Sequence, residues 1–424
     1  LSLLGKIAFL LTWLSLLMSW EARAEWILRV ENNQFLPSYF FVVSKEQQKL
    51  YFFSNHSPLK QIFVLPCTTG QVRGDKQKEG DKKTPEGVYF IEKKLTHGLD
   101  FSLYGGVAFT LNYPNPVDIL HNKSGHGIWI HGRGTPIKAF NTQGCVAVNL
   151  DHIPLIEENI SFKKTPVIIT KDFYWLKEKE ATQLFGFILE KVQEWSWAWR
   201  KKSPDFFDFY DSNLVVEKKK DYAHFIAKKK ALFKKYKWID VFISKPKIIY
   251  GPDYIVCYFD QLFRSPALLS VGIKRLYWMQ NKWDWKIVGV EWRKQKRTDV
   301  LKKYLKARTK DLKTWLDGWK TAWEKADIKA YSLFYADNAV QGKVKGLKNI
   351  INFKKNIWAK RKPKKIEIYN LQIKLSKVGF KINFVQRYED MSGYFDLGKK
   401  EIIVEPYKDK WRILKEKWTR IDEK

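Results

Sequence analysis

The chain has 424 residues, with 77 Lys and Arg against 45 Asp and Glu, a net charge of +32; 45% of its residues are apolar and 16% aromatic. That apolar content excludes a disordered chain, the length predicts two to four domains at roughly 100–200 residues each, and three cysteines exclude a disulfide scaffold. The charge is unevenly placed. Residues 25–170 hold 16 basic against 13 acidic side chains, whereas residues 171–424 hold 59 against 31, together with 15 of the 19 tryptophans.

Residues 1–24 read as a signal peptide. Lys6 supplies a positive start, Ile7 to Trp20 form a short apolar run, and Ala22-Arg23-Ala24 has the small-x-small form of a cleavage site. Cleavage there leaves Glu25 as the mature N-terminus; retention of the run as an anchor is the alternative. The expectation is an exported protein of the periplasm or cell envelope, which argues against a nucleic-acid partner for the basic surface.

Residues 25–175 form the first domain and read as mostly sheet. Tyr39 to Val43, a turn over Ser44 to Gln48, and Leu50 to Phe53 predict a hairpin. A Gly- and charge-rich loop spans Gly70 to Pro85, and Gly87 to Ile91 is the next strand. Phe101 to Leu111 and Gly127 to Ile130 continue the β pattern.

Gly125-His126-Gly127-Ile128-Trp129-Ile130-His131-Gly132 and Thr142-Gln143-Gly144-Cys145-Val146-Ala147-Val148 carry the chemistry. A thiol needs a base or a positive neighbour to become a thiolate, and a histidine returned against it by a loop of about a dozen residues supplies both. A glycine before the cysteine lets backbone N–H groups approach a bound carbonyl and hold its oxyanion. His126 lies five residues before His131, an odd spacing that within a strand faces the other way, so it reads as a rim contact. Arg133 and Thr142 are candidates for contacting a substrate carboxylate or the cysteine loop. Cys67 and Cys257 read as small buried hydrophobes. No metal-site or nucleotide-binding spacing is present, so neither metal nor cofactor is expected.

These two motifs, the hairpin, and the run Gly74-Asp75-Lys76 to Thr84-Pro85-Glu86-Gly87-Val88-Tyr89 resemble the L,D-transpeptidase (YkuD-like) family over residues 36–170. The resemblance implies a cysteine enzyme acting on peptidoglycan stem peptides. Carried over, Cys145 is the nucleophile and His131 the general base. The Gly132 carbonyl orients the imidazole, and N–H groups of Gly144 and Cys145 form the oxyanion hole. Cross-linking members usually carry Arg two residues after the cysteine, where this chain has Ala147. That departure, with the domain layout, points to the L,D-carboxypeptidases that set cell shape in helical bacteria. L,D-transpeptidation and a non-catalytic wall-binding protein are the alternatives.

Beyond residue 175, Ala181 to Trp199 and Tyr222 to Tyr236 have helical period. Strand-like runs follow at Ile248 to Phe259, Leu269 to Trp278 and Trp283 to Trp292. The same order returns. Trp195 and Trp199 are echoed by Trp319 and Trp323, Phe259 and Gln261 by Phe384 and Gln386, and Trp285 and Trp292 by Trp411 and Trp418, at offsets of 124–126 residues. Two α+β domains are predicted, 181–294 and 305–420, resembling the nuclear-transport-factor-2-like fold. The expected chain is thus multidomain, a mostly-β L,D-transpeptidase (YkuD-like) catalytic domain followed by two nuclear-transport-factor-2-like domains. The tryptophans read as core, with an open mouth in each cone where aromatic and basic side chains meet a ligand. The basic repeats suit an anionic wall or membrane surface.

Overall fold

The computed structural model describes residues 25–30, 34–56, 59–175, 182–282, 284–296, 298–408 and 410–421; the expected signal segment at 1–24 lies outside the described residues. The chain divides into two compact units. One comprises the described part of Leu1–Thr182 together with Ile248–Val256; the other comprises Gln183–Lys247 and Cys257–Lys424.

The first unit begins with β1 (Ile27–Val30), β2 (Tyr39–Ser44), β3 (Lys49–Ser54), β4 (Lys60–Thr68) and β5 (Gly87–Leu95). It continues with β6 (Ala108–Leu111), β7 (Trp129–His131), β8 (Val146–Val148), β9 (Pro166–Thr170) and β10 (Asp172–Trp175). Eight of them close a barrel in the order β2-β3-β4-β8-β7-β6-β5-β9, and β1 pairs in parallel with β10.

The hairpin forms with Phe40 opposite Phe53 and Phe41 opposite Phe52. Phe41, Val43, Leu50 and Phe52 enter the barrel core with Phe109, Ile130, Val146 and Val148. On the other face, Phe173 of β10 covers Tyr51 and Phe53 at ring-centroid distances of 4.7 and 6.0 Å. Burial on both faces explains why these strands read as unbroken apolar runs, and each buried ring contributes roughly 2–3 kcal/mol.

Part of the Phe101–Leu111 expectation fails. Phe101–Tyr104 is a helical turn, α1, and only Ala108–Leu111 is strand. Asp100 caps the turn by accepting from the Leu103 N–H, and Gly105 ends it at φ 59°, so a local cap overrides β propensity. Two further short helices, α2 (Pro116–Leu120) and α3 (Ile153–Glu158), flank the barrel.

The second unit holds most of the two repeats, Ile248–Val256 of the first repeat belonging to the first unit. The first runs α4 (Thr182–Lys201), β11 (Tyr210–Val216), β12 (Lys219–Lys220), α5 (Tyr222–Lys235), β13 (Asp240–Ile243), β14 (Lys247–Tyr250), β15 (Ile255–Arg264), β16 (Leu269–Asn281) and β17 (Asp284–Lys294). The second runs α6 (Thr298–Glu324), α7 (Ile328–Ser332), β18 (Tyr335–Gln341), β19 (Val344–Lys345), α8 (Leu347–Lys360), β20 (Pro363–Ser376), β21 (Gly379–Asp390), β22 (Phe395–Tyr407) and β23 (Lys410–Arg420).

Their sheets share one order, β12-β11-β17-β16-β15-β13 and β19-β18-β23-β22-β21-β20. Equivalent tryptophans do the same work in both. Trp195 donates to the Tyr210 hydroxyl at 2.8 Å, and Trp319 to that of Tyr335 at 3.3 Å. Within this unit Asp240 is buried and takes Arg308 at 2.6 Å and Tyr304 at 2.7 Å, tying α6 to β13.

The expected strand Ile248–Phe259 is instead broken between β14 and β15. The break falls at Gly251-Pro252-Asp253, where Gly251 N–H donates to Tyr254 O at 2.8 Å. Proline has no N–H to give a ladder, so a run containing it yields a turn.

Candidate active site

β7 and β8 lie parallel, with His131 opposite Ala147. Cys145, two residues before Ala147, therefore shares the His131 side of the sheet. Strand geometry sets the two Cα atoms about 8 Å apart, within reach of converging side chains.

His131 is 3% exposed. Its Nδ1 donates to the Gly132 carbonyl at 2.6 Å; because a carbonyl only accepts, this fixes the proton on Nδ1 and leaves Nε2 with a free lone pair. Burial, opposed by that bond and helped by nearby Arg133, lowers the imidazole pKa to about 4. The Cys145 thiol donates to Gly127 O at 3.3 Å. Burial pushes its pKa up to about 11, although the Trp129 backbone and the Lys76 ammonium pull the other way. At rest the thiol and the imidazole are thus both neutral, with the thiol proton given to Gly127 O and the Nε2 lone pair open.

The cysteine loop is held from behind. Thr142 is buried, its hydroxyl donating to Cys145 O at 2.7 Å and accepting from Gly144 N at 3.1 Å. Thr142 therefore contacts the cysteine loop, the second of its two expected roles. The same bond corrects the expected oxyanion hole, because the Gly144 N–H is already committed; the Cys145 N–H is the donor that remains. Gly144 is glycine for a different reason: its φ is +126°, and a Cβ would stand 2.9 Å from Lys83 O.

Arg133 reaches the cysteine loop, donating to Asn141 O at 2.6 Å. His126 precedes β7 in a loop, so the strand-face argument does not apply to it; its side chain is 83% exposed, 3.7 Å from Glu79. Cys67 and Cys257 are buried, and burial raises both thiols. Tyr104 escapes sequence reading. Its ring meets the His131 ring edge-on at 5.0 Å and the Trp129 ring at 5.3 Å. The only signal available was Trp129, which alternates with His131 onto the same side.

Above the site, loop Asp75–Glu86 turns on Asp81, which binds Lys76 at 2.7 Å and accepts from the N–H groups of Gln77, Lys78 and Lys83. Ala147 is wholly buried between β4 and β7.

Comparison with known proteins places the chain in a family. Residues 38–169 match the L,D-transpeptidase catalytic domain (YkuD), and residues 187–291 and 311–417 each match the Cds6 C-terminal NTF2-like domain. The solved structure of Bdellovibrio bacteriovorus Bd1075 is 30% identical, covering 64% of this chain and 98% of its own, with a TM-score of 0.52. The chain belongs to the L,D-transpeptidase (YkuD) family. It is a cysteine enzyme of the L,D-transpeptidase type, in a family that acts on peptidoglycan stem peptides. The helical cell shape determining protein Pgp2 of Campylobacter jejuni is 26% identical, covering 60% of this chain and 91% of its own at a TM-score of 0.49. No curated protein sequence matches the chain.

The second NTF2-like repeat of this YkuD-family chain opens a cavity of about 640 Å³. Lys354 sits 3.9 Å over the Trp323 ring, and Lys400 binds Glu416 at 2.5 Å. Gln386 Oε1, Asp396 Oδ1 and Trp358 Nε1 are buried there without a partner among the described residues.

Proposed function

We propose that this enzyme is an exported L,D-carboxypeptidase that removes the terminal D-Ala from murein tetrapeptides. In this reading His131 Nε2 takes the Cys145 proton as sulfur attacks the carbonyl at the L-centre of diaminopimelate. The oxyanion is held by the Cys145 N–H. The C–N bond then breaks, the imidazolium returns its proton to the departing D-Ala amine, and a thioester remains. Water, deprotonated by His131, resolves it to the tripeptide. Gly132 keeps the imidazole in the tautomer that both steps need.

The observation that favours water over an amine acceptor is Ala147. It is buried in β8, where cross-linking members usually carry arginine, and supplies no cation at that position. The basic repeats are assigned the task of holding the enzyme at the anionic wall through a salt-sensitive attraction. The second-repeat cavity, with unpaired donors and acceptors beside aromatic walls, supplies a place for a wall ligand.

Mass spectrometry of tetrapeptide muropeptides, incubated with and without an added amino-acid acceptor, tests the reading. Tripeptide formation that stops in Cys145→Ala is expected. Acceptor exchange or 3-3 dimers identify a transpeptidase instead, and sacculus binding with no change in muropeptides identifies a wall-binding protein.

A further inference from the structure

The match to the catalytic domain ends at residue 169, yet the compact unit that holds Cys145 also includes Ile248–Val256. Ile249 is 1% and Tyr254 5% exposed, and Ile248 N–H donates to Phe35 O at 2.9 Å. The Tyr254 hydroxyl accepts from Val88 N at 2.8 Å and from Asn115 Nδ2 at 3.1 Å. Gly87 makes the room, since a Cβ there would lie 2.7 Å from that hydroxyl.

From Asn115 a polar chain, buried as far as Lys123, runs toward Cys145. Asn115 Oδ1 caps α2 by accepting from Val117 N and Asp118 N. Asp118 lies 3.2 Å from Lys123 Nζ, and Lys123 binds Asp75 at 2.7 Å. Asp75 also accepts from Glu86 N at 2.8 Å, so one carboxylate pins both ends of loop Asp75–Glu86. That loop lays Lys83 O against Gly144, and its Gln77 O accepts from Ser124 N at 3.0 Å. Three residues beyond Ser124, Gly127 O takes the Cys145 thiol.

We infer that Tyr254, carried on a turn inside the first repeat, is a positioning residue for Cys145, acting through Asn115, Asp118, Lys123 and Asp75 on the loop that walls the nucleophile. The inference rests on the cysteine chemistry proposed above. Its test therefore includes a measurement that needs no substrate.

Tyr254→Phe removes one oxygen acceptor while keeping the ring. In the full chain, D-Ala release per alkylatable Cys145 is expected to fall about tenfold in kcat with KM within about twofold, as a small misplacement of a reacting group does. The pH profile of Cys145 alkylation shifts with it. Asp253→Asn, one residue away on the exposed side, leaves both unchanged. Asn115→Ser keeps an N-cap oxygen for α2 and removes the Nδ2 donor to Tyr254 and Val88 without adding a charge beside Asp118; it reproduces the Tyr254→Phe effect and decides the matter if Tyr254→Phe does not fold. A lower melting temperature with wild-type kcat and a wild-type alkylation profile would overturn the inference, reducing Tyr254 to a structural contact. Absence of D-Ala release in the wild type refutes the carboxypeptidase reading alone, because the alkylation profiles still test Tyr254.

Discussion

The neutral resting pair makes a prediction that separates this site from cysteine enzymes holding a preformed thiolate–imidazolium pair. The perturbation is pH, and the probe is iodoacetamide, a neutral electrophile that reacts with the thiolate. An ordinary thiol at 9 is about one part in a hundred ionised at pH 7; a thiol at about 11 is about one part in ten thousand. Alkylation of Cys145 at pH 7 should thus run about a hundredfold slower than that of an exposed thiol. Its logarithm should rise with unit slope through pH 6–9. An imidazole at about 4 is uncharged across this range and supplies no ion pair. Intact-mass spectrometry at timed quench follows the reaction, with Cys145→Ala as blank; Cys67 and Cys257, buried at 3% and 0% exposure, stay silent in the folded protein. A rapid, pH-independent plateau between pH 5 and 8 would refute the reasoning, because it requires a thiolate already paired with a charged His131.

Other expectations follow from the same structure. Burial alone would raise the Asp81 pKa, but Lys76 and three N–H groups outweigh it and hold the carboxyl at about 2. Its folded pKa is depressed, so its stabilising contribution is present above the unfolded pKa near 4 and is lost as pH falls through about 2. Asp81→Asn leaves the buried Lys76 ammonium without its charge partner and should cost about 3 kcal/mol, read as a lower urea midpoint at pH 7 that narrows toward wild type at pH 2. In the second repeat, burial draws Lys354 down to about 7, opposed by Glu416. Lys354→Met should weaken sacculus pelleting severalfold at pH 6 and less at pH 8.5, where the wild-type amine is mostly uncharged; equal loss at both pH values would show that its charge plays no part.

Much of the fold was legible because its signals are local. The hairpin and the helical periods depend on residue order within a short window, the 124–126-residue echo compares one short motif with another, and the sheets formed in the repeated order. Failures occurred where a single turn outweighed propensity. Asp100 and Gly105 converted part of an apparent strand into a helical turn, and Gly251-Pro252-Asp253 broke another. Both signals were present in the sequence as capping and breaker residues, but the apolar runs around them spoke louder.

By itself the sequence determined which atoms this protein has for chemistry: Cys145 after a glycine, His131 before a glycine fourteen residues upstream, and a strongly basic duplicated tail. Only the tertiary structure decided how those atoms face. It gave the Gly144 N–H to Thr142, set Arg133 on the cysteine loop, brought Tyr104 to the imidazole, and seated Tyr254 against Val88 from 166 residues away. The physical reason is directional. A hydrogen bond needs its donor aimed within a few tens of degrees, and that aim is set by backbone angles and by partners remote in the chain. The candidate nucleophile was therefore readable from residue types in series, while the hydrogen bonds around it were readable only in space.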